Sequence, residues 1–522
     1  LVNDLRLWNR CLMKKFYLTT AIDYVNAKPH LGTAYEKIGA DCLARYKRLA
    51  GWDTCFSMGT DEHSSNVEKE AKRLGKDPKT YCDEMASSFT EVWEKLGISH
   101  DRFIRTTDPE HINAVKEVFN RINENGHIYK GEYKGLYCVS CEEFLVEKDL
   151  VDGKCERHKQ SPQQIKETNY FFALSRFSGA LEEHIRKTPG FIRPESRRNE
   201  ILKVIERGLE DISISRAGKS WGVPLPCAED QVVYVWFDAL INYISAVGFG
   251  GNDDAKFKKY WPADCHIIGK DITRFHCLIW PAMLMAAEIP LPACIFGHGF
   301  VYLKGEKMSK TLGNIIDPMD MAEFFHPDGL RYLLLREIAF SRDGDFSVEK
   351  AVVKYNAELA NELGNLFSRT LSMVKRYRGG VVPAYSNECA AEFERLEGGA
   401  LERYTGFMDE LAFDEAMGAL WTVIQASNKY IEDKKPWELA RSAEDKVLDD
   451  MLRVLLEVLA LSSILCIPFM PRKSEDMRHQ LALSSDLSKI RLKEAGEPGN
   501  PQWTKIGEFV PLFPKLDPPS GE

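Results

Sequence analysis

The strongest constraint on the fold is an apolar strand that runs into the start of a helix. Lys15 to Ile22 (KFYLTTAI) is rich in aromatic and β-branched residues and reads as a buried strand. A loop, Asp23 to Lys28, leads to Pro29-His30-Leu31-Gly32-Thr33. Helical spacing then takes over from Ala34 to Ala50, with Ile38, Leu43, Ala44 and Tyr46 among its apolar positions. His30 and Gly32 therefore sit at a helix N-terminus, where free backbone N–H groups and the positive end of the dipole favour phosphate. Gly32 lets a flat ring approach the backbone closely. Taken alone, the segment is an ordinary helix entry with a capping residue.

The same alternation continues. Thr54 to Met58 reads as a second strand that delivers the polar cluster Gly59-Thr60-Asp61-Glu62-His63 at its end. Helices follow over Asn66 to Leu74 and Tyr81 to Leu96, then a strand near Phe103 and a helix over Ala114 to Asn125. After an interruption, Val232 to Phe237 (VVYVWF) reads as a buried strand, with Trp236, Ala239, Leu240 and Tyr243 as candidate core. Asp264 to Ile268 is another strand, ending in Gly269-Lys270-Asp271-Ile272; an acid just after a strand suits the hydroxyls of a ribose. His276 lies one turn into the next helix, and Ala293 to Phe296 precedes His298-Gly299-Phe300. Alternating strands and helices predict a doubly wound, Rossmann-type α/β domain for nucleotide binding.

Two stretches break the pattern. Leu303 to Asn314 (LKGEKMSKTLGN) has no hydrophobic period and reads as a loop. Its Lys304, Lys307 and Lys310 are compact charges on flexible stems, able to follow negative charge as it develops on a polyphosphate. The second break begins at Lys130. Cys138-x2-Cys141, thirteen residues, then Cys155-x2-His158 supplies four ligands in two knuckle-like pairs, the spacing of a closed structural zinc site. Such a site would fold a small insert that has little core of its own. Asn169 to Leu174 then returns as a strand, helices cover Phe177 to Arg186 and Pro194 to Arg207, and Asp211 to Pro226 is irregular.

From Pro318 the pattern is helical. Asp328 to Ile338 is one helix, Asp343 to Ser347 is a turn, and amphipathic helices run from Val348 to about Leu483. Phe509 to Leu516 packs back on the body. The net charge of -9 excludes a generally basic nucleic-acid binder, so an RNA partner must meet local surfaces. Thirteen cysteines in no secreted-type framework point to a reducing compartment. The most membrane-like stretch, Val454 to Met470, is short and holds Glu457 and Pro468, so it reads as a bundle helix. Met13-Lys14-Lys15 reads as a natural start, with Leu1 to Leu12 as an upstream extension.

Lys307-Met308-Ser309-Lys310-Thr311 is similar to the KMSKS signature of class I aminoacyl-tRNA synthetases, and His30-Leu31-Gly32-Thr33 to their HIGH motif, with Thr33 in place of the final His. Together with Ala21-Ile22-Asp23-Tyr24, Trp236-Phe237-Asp238-Ala239, Gly269-Lys270-Asp271-Ile272 and Lys435-Pro436-Trp437, they make the chain resemble the methionyl-tRNA synthetase family from Met13 to Leu516. The resemblance implies ligation of L-methionine to methionine tRNA, initiator and elongator, by way of a methionyl-adenylate, with Mg2+ accompanying ATP. It implies that His30, Gly32, Thr33, Gly269, Asp271, Lys307, Ser309 and Lys310 handle ATP, with His30, Lys307 and Lys310 catalytic. Asp61 would hold the methionine ammonium, with Ile22, Tyr24, Trp236, Ala239, Leu240, Tyr243, Ile272 and His276 shaping the pocket. Leu240 stands where some relatives have proline. Asn365, Arg369 and Trp437 would read the anticodon, by stacking and hydrogen bonding to exposed bases.

The expected layout is an extension over 1–12 and a catalytic domain in two halves, 13–124 and 232–302, around a connective insert at 125–231 with the zinc knuckle. The lysine loop and a stem-contact region at 303–350 come next, then an all-α helical bundle anticodon-binding domain with its tail at 351–522. A cytoplasmic monomer with no membrane contact is the accompanying expectation. A sister synthetase for valine, isoleucine or leucine would need a large editing insert, because a missing methylene is worth only about 1–3 kcal/mol in an apolar pocket. The knuckle and a few helices account for most of the insert here. A non-catalytic RNA-binding relative would have lost His30 or the lysines, and a small nucleotidyltransferase would leave the helical half unexplained.

Overall fold

The structure is a computed structural model describing residues 14–138, 143–145, 150–155, 159–218, 220–303, 305–308, 315–442, 444–500 and 502–517. Alternate residues of the first strand, Lys15–Thr20, serve opposite faces: Phe16 and Leu18 enter one core and Tyr17 another. With both faces covered, the strand reads as a continuous apolar run. The order in space is Ile192–Arg193, Ile295–His298, Cys265–Gly269, Lys15–Thr20, Asp53–Asp61 and Arg102–Arg105, all parallel. Asp23–Tyr24, expected as loop, adds a short parallel strand against Thr60 and Asp61. The strand order reverses between Lys15–Thr20 and Cys265–Gly269. In open α/β sheets, ligands bind outside the strand C-termini at that point.

The segment 125–231 is built on a long antiparallel hairpin that the sequence only half disclosed. Ile128–Cys138 pairs with Gln163–Phe172 from Ile128 opposite Phe172 to Tyr137 opposite Gln163. The returning strand thus starts six residues before the expected Asn169 and stops before Leu174. Short strands at Ile212–Ser213, Ser215–Ala217 and Pro224–Leu225 lie inside the stretch expected to be irregular. The segment also feeds Ile192–Arg193 to the edge of the main sheet, so it is not a detached appendage. Val232 to Phe237 requires a correction. The strand is Ala228–Val233, Tyr234 is an extended cap, and Val235–Leu240 is helix.

Two further expectations change where the lysine stretch meets the helical half. Glu306–Lys307 pairs antiparallel with Val301–Leu303, so the stretch opens as a hairpin rather than a loop. Gly344–Asp345, expected as turn, lies parallel to Val301–Leu303 on its other side. Gly299 makes that approach possible: a Cβ there would lie 2.0 Å from the Arg342 carbonyl oxygen.

One apolar core runs unbroken from the face of the sheet covered by helix Leu31–Leu49, through helix Pro327–Glu337, into the helices Phe413–Lys434 and Asp445–Leu465. The tail folds back as expected: Leu512 and Phe513 are buried, and Leu516 exchanges two backbone hydrogen bonds with the Asn356 side chain. Arg331 is buried where the halves meet. Its guanidinium pairs with Asp41 at 2.7 Å and donates to the carbonyls of Leu96, Pro468 and Phe469. Burial would raise the Asp41 carboxyl, but Arg45 and Arg331, with hydrogen bonds from Ser99, hold it well below the usual carboxylate range.

Removing one partner of a buried pair leaves the other charge uncompensated. Arg331→Met is therefore expected to lower conformational stability by about 3–5 kcal/mol, read as a fall in the urea midpoint. A wild-type midpoint would show that Arg331 does not tie the halves together.

Candidate active site

Four chain segments converge outside the strand C-termini at the switch point. Ala21–Tyr24 follows the first strand, Asp61 ends the second, Gly269–Ile272 follows Cys265–Gly269, and His298–Val301 leaves the last. Helix Leu31–Leu49 points its N-terminus into the same space, and together they enclose a cavity of about 340 Å3.

His30 caps that helix. Its Nδ1 accepts from the backbone N–H of Gly32 (3.1 Å) and of Thr33 (3.3 Å). A nitrogen facing two donors carries no proton, so the ring is the neutral tautomer with hydrogen on Nε2, a donor for a ligand oxygen. A Cβ on Gly32 would meet that ring at 3.0 Å, so glycine lets the imidazole fold back. Thr33 lines the same cavity.

The other wall is apolar with selected polar tips. Trp236, Ala239, Leu240 and Tyr243 fall at i, i+3, i+4 and i+7, which places them on one helical face. That spacing outweighs the β-branched run that suggested a strand. Trp236 stacks on Phe275 at 3.9 Å and meets Tyr24 edge-on at 6.1 Å. Tyr243 Oη lies 2.6 Å from His276 Nε2, while His276 Nδ1 donates to the Ile272 carbonyl. The imidazole therefore accepts from the phenol and is neutral. Burial agrees, pushing His276 down to about 4. His276 sits in a widened π-helical turn, Phe275–Ile279, a distortion frequent at functional sites.

Charges stand in and behind these walls: Asp23 and Glu36 line the cavity, and Lys37 and Asp238 lie behind it. Lys37 is fully buried, at 2.6 Å from Glu36 and 3.1 Å from Asp23, and donates to the Ala21 carbonyl. One cation serves two carboxylates unequally. Burial raises Asp23 to about 6, whereas Lys37 and His298 overcome burial to lower Glu36. Asp238 is also buried, 2.7 Å from His63 Nδ1 and 2.8 Å from His111 Nε2. Despite burial, these histidines lower Asp238 to about 2. Asp238 thus locks the helix carrying Trp236, Ala239 and Leu240 to the strand end carrying Asp61. Glu36, Lys37, Asp238 and His298 were missed as site groups. Their one sequence signal is a charge inside an otherwise apolar helix or strand end.

The structure brings together His30, Gly32, Thr33, Gly269 and Asp271 with all nine residues of the expected amino-acid pocket. Met308 is buried against them, and only the backbone of Lys307 is described. Ser309 and Lys310 lie outside the described residues, as do Cys141 and His158. Cys138 and Cys155 are both buried in a small cluster with Leu145 at the hairpin tip, and no metal-ligand group of three occurs among the described residues. In the helical half, Asn365 and Arg369 lie one turn apart on helix Asn365–Arg378. Arg369 pairs with Glu432 at 2.7 Å, and the half-exposed Trp437 opens the next helix five residues later. No described helix is long and apolar enough to cross a membrane.

Such a switch-point cavity, set between a His-x-Gly helix start and the hairpin that carries Lys307 and Met308, in a chain with the Lys-Met-Ser-Lys string, defines a class I aminoacyl-tRNA synthetase. A family model described as tRNA synthetases class I (M) matches residues 16–164 and 146–371, and one described as the anticodon binding domain of methionyl tRNA ligase matches 382–494. The methionine–tRNA ligase of Synechocystis is 43% identical, over 97% of this chain and 98% of its own. That of Thermotoga maritima is 44% identical, over 96% and 80%. A Mycobacterium tuberculosis methionyl-tRNA synthetase solved with methionyl-adenylate superposes with a TM-score of 0.92 at 41% identity, covering 96% of this chain and all of that one. The chain belongs to the methionyl-tRNA synthetases, the methionine–tRNA ligases of class I.

The unfolded His276 imidazole takes up a proton near 6.5 and the folded one only near 4. The native state is therefore favoured fully above about pH 6.5, and this contribution is lost as pH falls toward 4, at up to about 1.4 kcal/mol per unit. His276→Gln should flatten the dependence of Tm on pH between 6.5 and 4 relative to the parent protein. Equal slopes would exclude a buried neutral His276.

Proposed function

We propose that the cavity joins methionine to ATP and that the helical half presents the tRNA. The observation that carries this reading is the uncharged Tyr243–His276 pair, set among Trp236, Ala239 and Leu240 and beside Asp61. A thioether is polarizable and poorly hydrated, so an aromatic wall with a neutral polar tip accepts it without desolvating a charge. Asp61 takes the ammonium, and Ile22, Tyr24 and Ile272 close the pocket.

The methionine carboxylate oxygen attacks the α-phosphorus, a P–O bond forms, and the bond to the β-phosphate breaks as pyrophosphate leaves. The protein positions the groups and stabilises charge. His30 Nε2–H and the N-terminus of its helix face the phosphates; Gly269 admits the adenosine, and Asp271 accepts from its ribose. ATP arrives with Mg2+, which offsets phosphate charge. Lys307 and Lys310, with Ser309, act as charge moves to the leaving group. In the second step a ribose hydroxyl of the terminal tRNA adenosine attacks the carbonyl, loses its proton, and AMP leaves. Asn365, Arg369 and Trp437 meet the anticodon, and Glu432 holds Arg369 in place beforehand.

ATP–pyrophosphate exchange tests the reading. Exchange should require methionine, with valine, isoleucine, leucine and cysteine inactive. Lys307→Ala should cut the rate by about 100-fold or more with little change in the methionine KM. Equal exchange with a branched amino acid would move the specificity to a sister enzyme.

One structural zinc at the hairpin tip is part of the proposal, supported by the ligand spacing and by the two buried cysteines. Cys138 and Cys155 are buried together there, the Cys155 N–H donates to the Gln160 carbonyl, and the Lys159 N–H donates to the Cys155 carbonyl. Cys138, Cys141, Cys155 and His158 would hold the ion, which would cross-link a tip with almost no apolar core. Purified protein should contain about one zinc per chain, and Cys155→Ser should lose it. Metal-free wild-type protein with unchanged proteolytic resistance at the tip would refute this assignment.

A further inference from the structure

A second cavity, of about 380 Å3, lies in the helical half. It is bounded by helix Asp445–Leu465, helix Pro471–Gln480, Leu483, residues from Glu494 to Asn500, and Trp503. None of the residues assigned to methionine, ATP or the anticodon lines it. Its volume is within the range of small-molecule sites, and Ile464, Leu483 and Trp503 give it apolar walls.

Two charged groups on its walls are more than nine-tenths buried and only partly used. Arg478 is 4% exposed. Its Nε donates to the Ser484 carbonyl at 2.5 Å and its Nη1 to Ser463 Oγ at 3.3 Å, while Nη2 makes no hydrogen bond among the described residues. Glu457 is 5% exposed. All its hydrogen bonds, from Arg453 at 2.7 Å and from Gly499 N–H at 3.1 Å, fall on Oε1. Oε2 remains an acceptor. Arg453 differs: it also donates to the carbonyls of Pro383 and Asn500 and lies between the Tyr385 and Trp503 rings. Neither Arg478 Nη2 nor Glu457 Oε2 is among the buried side-chain atoms left without a partner, so each reaches solvent and is open to a ligand.

We infer that this cavity binds a small zwitterion of the amino-acid class, whose carboxylate meets Arg478 Nη2 and whose ammonium meets Glu457 Oε2. Glu494 and Glu497 also line the cavity, which disfavours a dianion such as phosphate and favours a ligand with an amine. Ile464, Leu483 and Trp503 receive an aliphatic or aromatic side chain. The site is independent of the activation chemistry, and Trp503 on its wall is an intrinsic reporter.

L-Leucine and L-phenylalanine are the probes, titrated at millimolar concentration into the full chain with the active site saturated by methionine. Both should bind saturably and shift tryptophan fluorescence. The decarboxylated and deaminated analogues, isoamylamine and 4-methylpentanoate, should bind about tenfold or more weakly than leucine. Arg478→Met should remove binding while methionine-dependent pyrophosphate exchange persists. Leu483→Phe fills the cavity without touching a buried charge, so it should also abolish binding if Arg478→Met fails to fold. No saturable binding of either probe, binding that survives Leu483→Phe, or analogues that bind as well as leucine would each overturn the assignment.

Discussion

The buried contact between Asp41 and Arg331 is the constraint on which the rest depends. Asp41 sits on the helix that His30 caps, and Arg331 on the first long helix of the other half. Taking both charges out of water is costly, and the cost is offset only where every donor and acceptor is met. Arg331 meets that condition through three carbonyls from two distant stretches, Leu96 and Pro468–Phe469. The orientation of the His30 helix, and so the direction of its N-terminus, is fixed by a contact that also seats the helical half. The apolar core shared by the two halves says the same in other terms: the helical half continues the interior on one face of the sheet, while the other face has a core of its own.

The cavity separates neutral from charged work. The wall proposed for the amino-acid side chain is aromatic and aliphatic, with histidine held neutral at His276. Lys37 and Asp238 stand behind those surfaces, and each charge has its own partner: Lys37 pairs with Glu36 and Asp23, Asp238 with His63 and His111. A pocket lined by unpaired charge would have to be desolvated by every ligand that entered. Here the electrostatic cost of those charges is met once, on folding.

The legible part of the sequence was what repeats or carries chemistry at fixed spacing. The strand-to-helix entry at His30, the polar strand ends at Asp61 and Asp271, and the lysine string each advertise themselves within a few residues. Fourteen assigned cavity residues, five for ATP and nine for methionine, consequently converge in space. What stayed hidden depends on partners far along the chain. The Ile128–Cys138 strand is polar on one face and carries few strand signals, and only its register with Gln163–Phe172 makes it a strand. The Val232 to Phe237 run looked like strand from its residue types, yet Asp238 and its two histidines select a helix from Val235. Glu36 and Lys37 stand out in sequence only as charges within an otherwise apolar helix, and their partners Asp23 and His298 come from other segments.

The order of strands in the sheet has a consequence for how the protein is made. Leu18 lies beside Cys265, so the central strand waits for a neighbour about 250 residues downstream. At typical rates of synthesis that interval lasts on the order of 10 to 50 s. Throughout it, one long edge of a strand with two apolar faces is already outside the ribosome and unpaired. The nascent chain must therefore be shielded there, by its own early helices or by a chaperone, until the second half of the sheet has emerged.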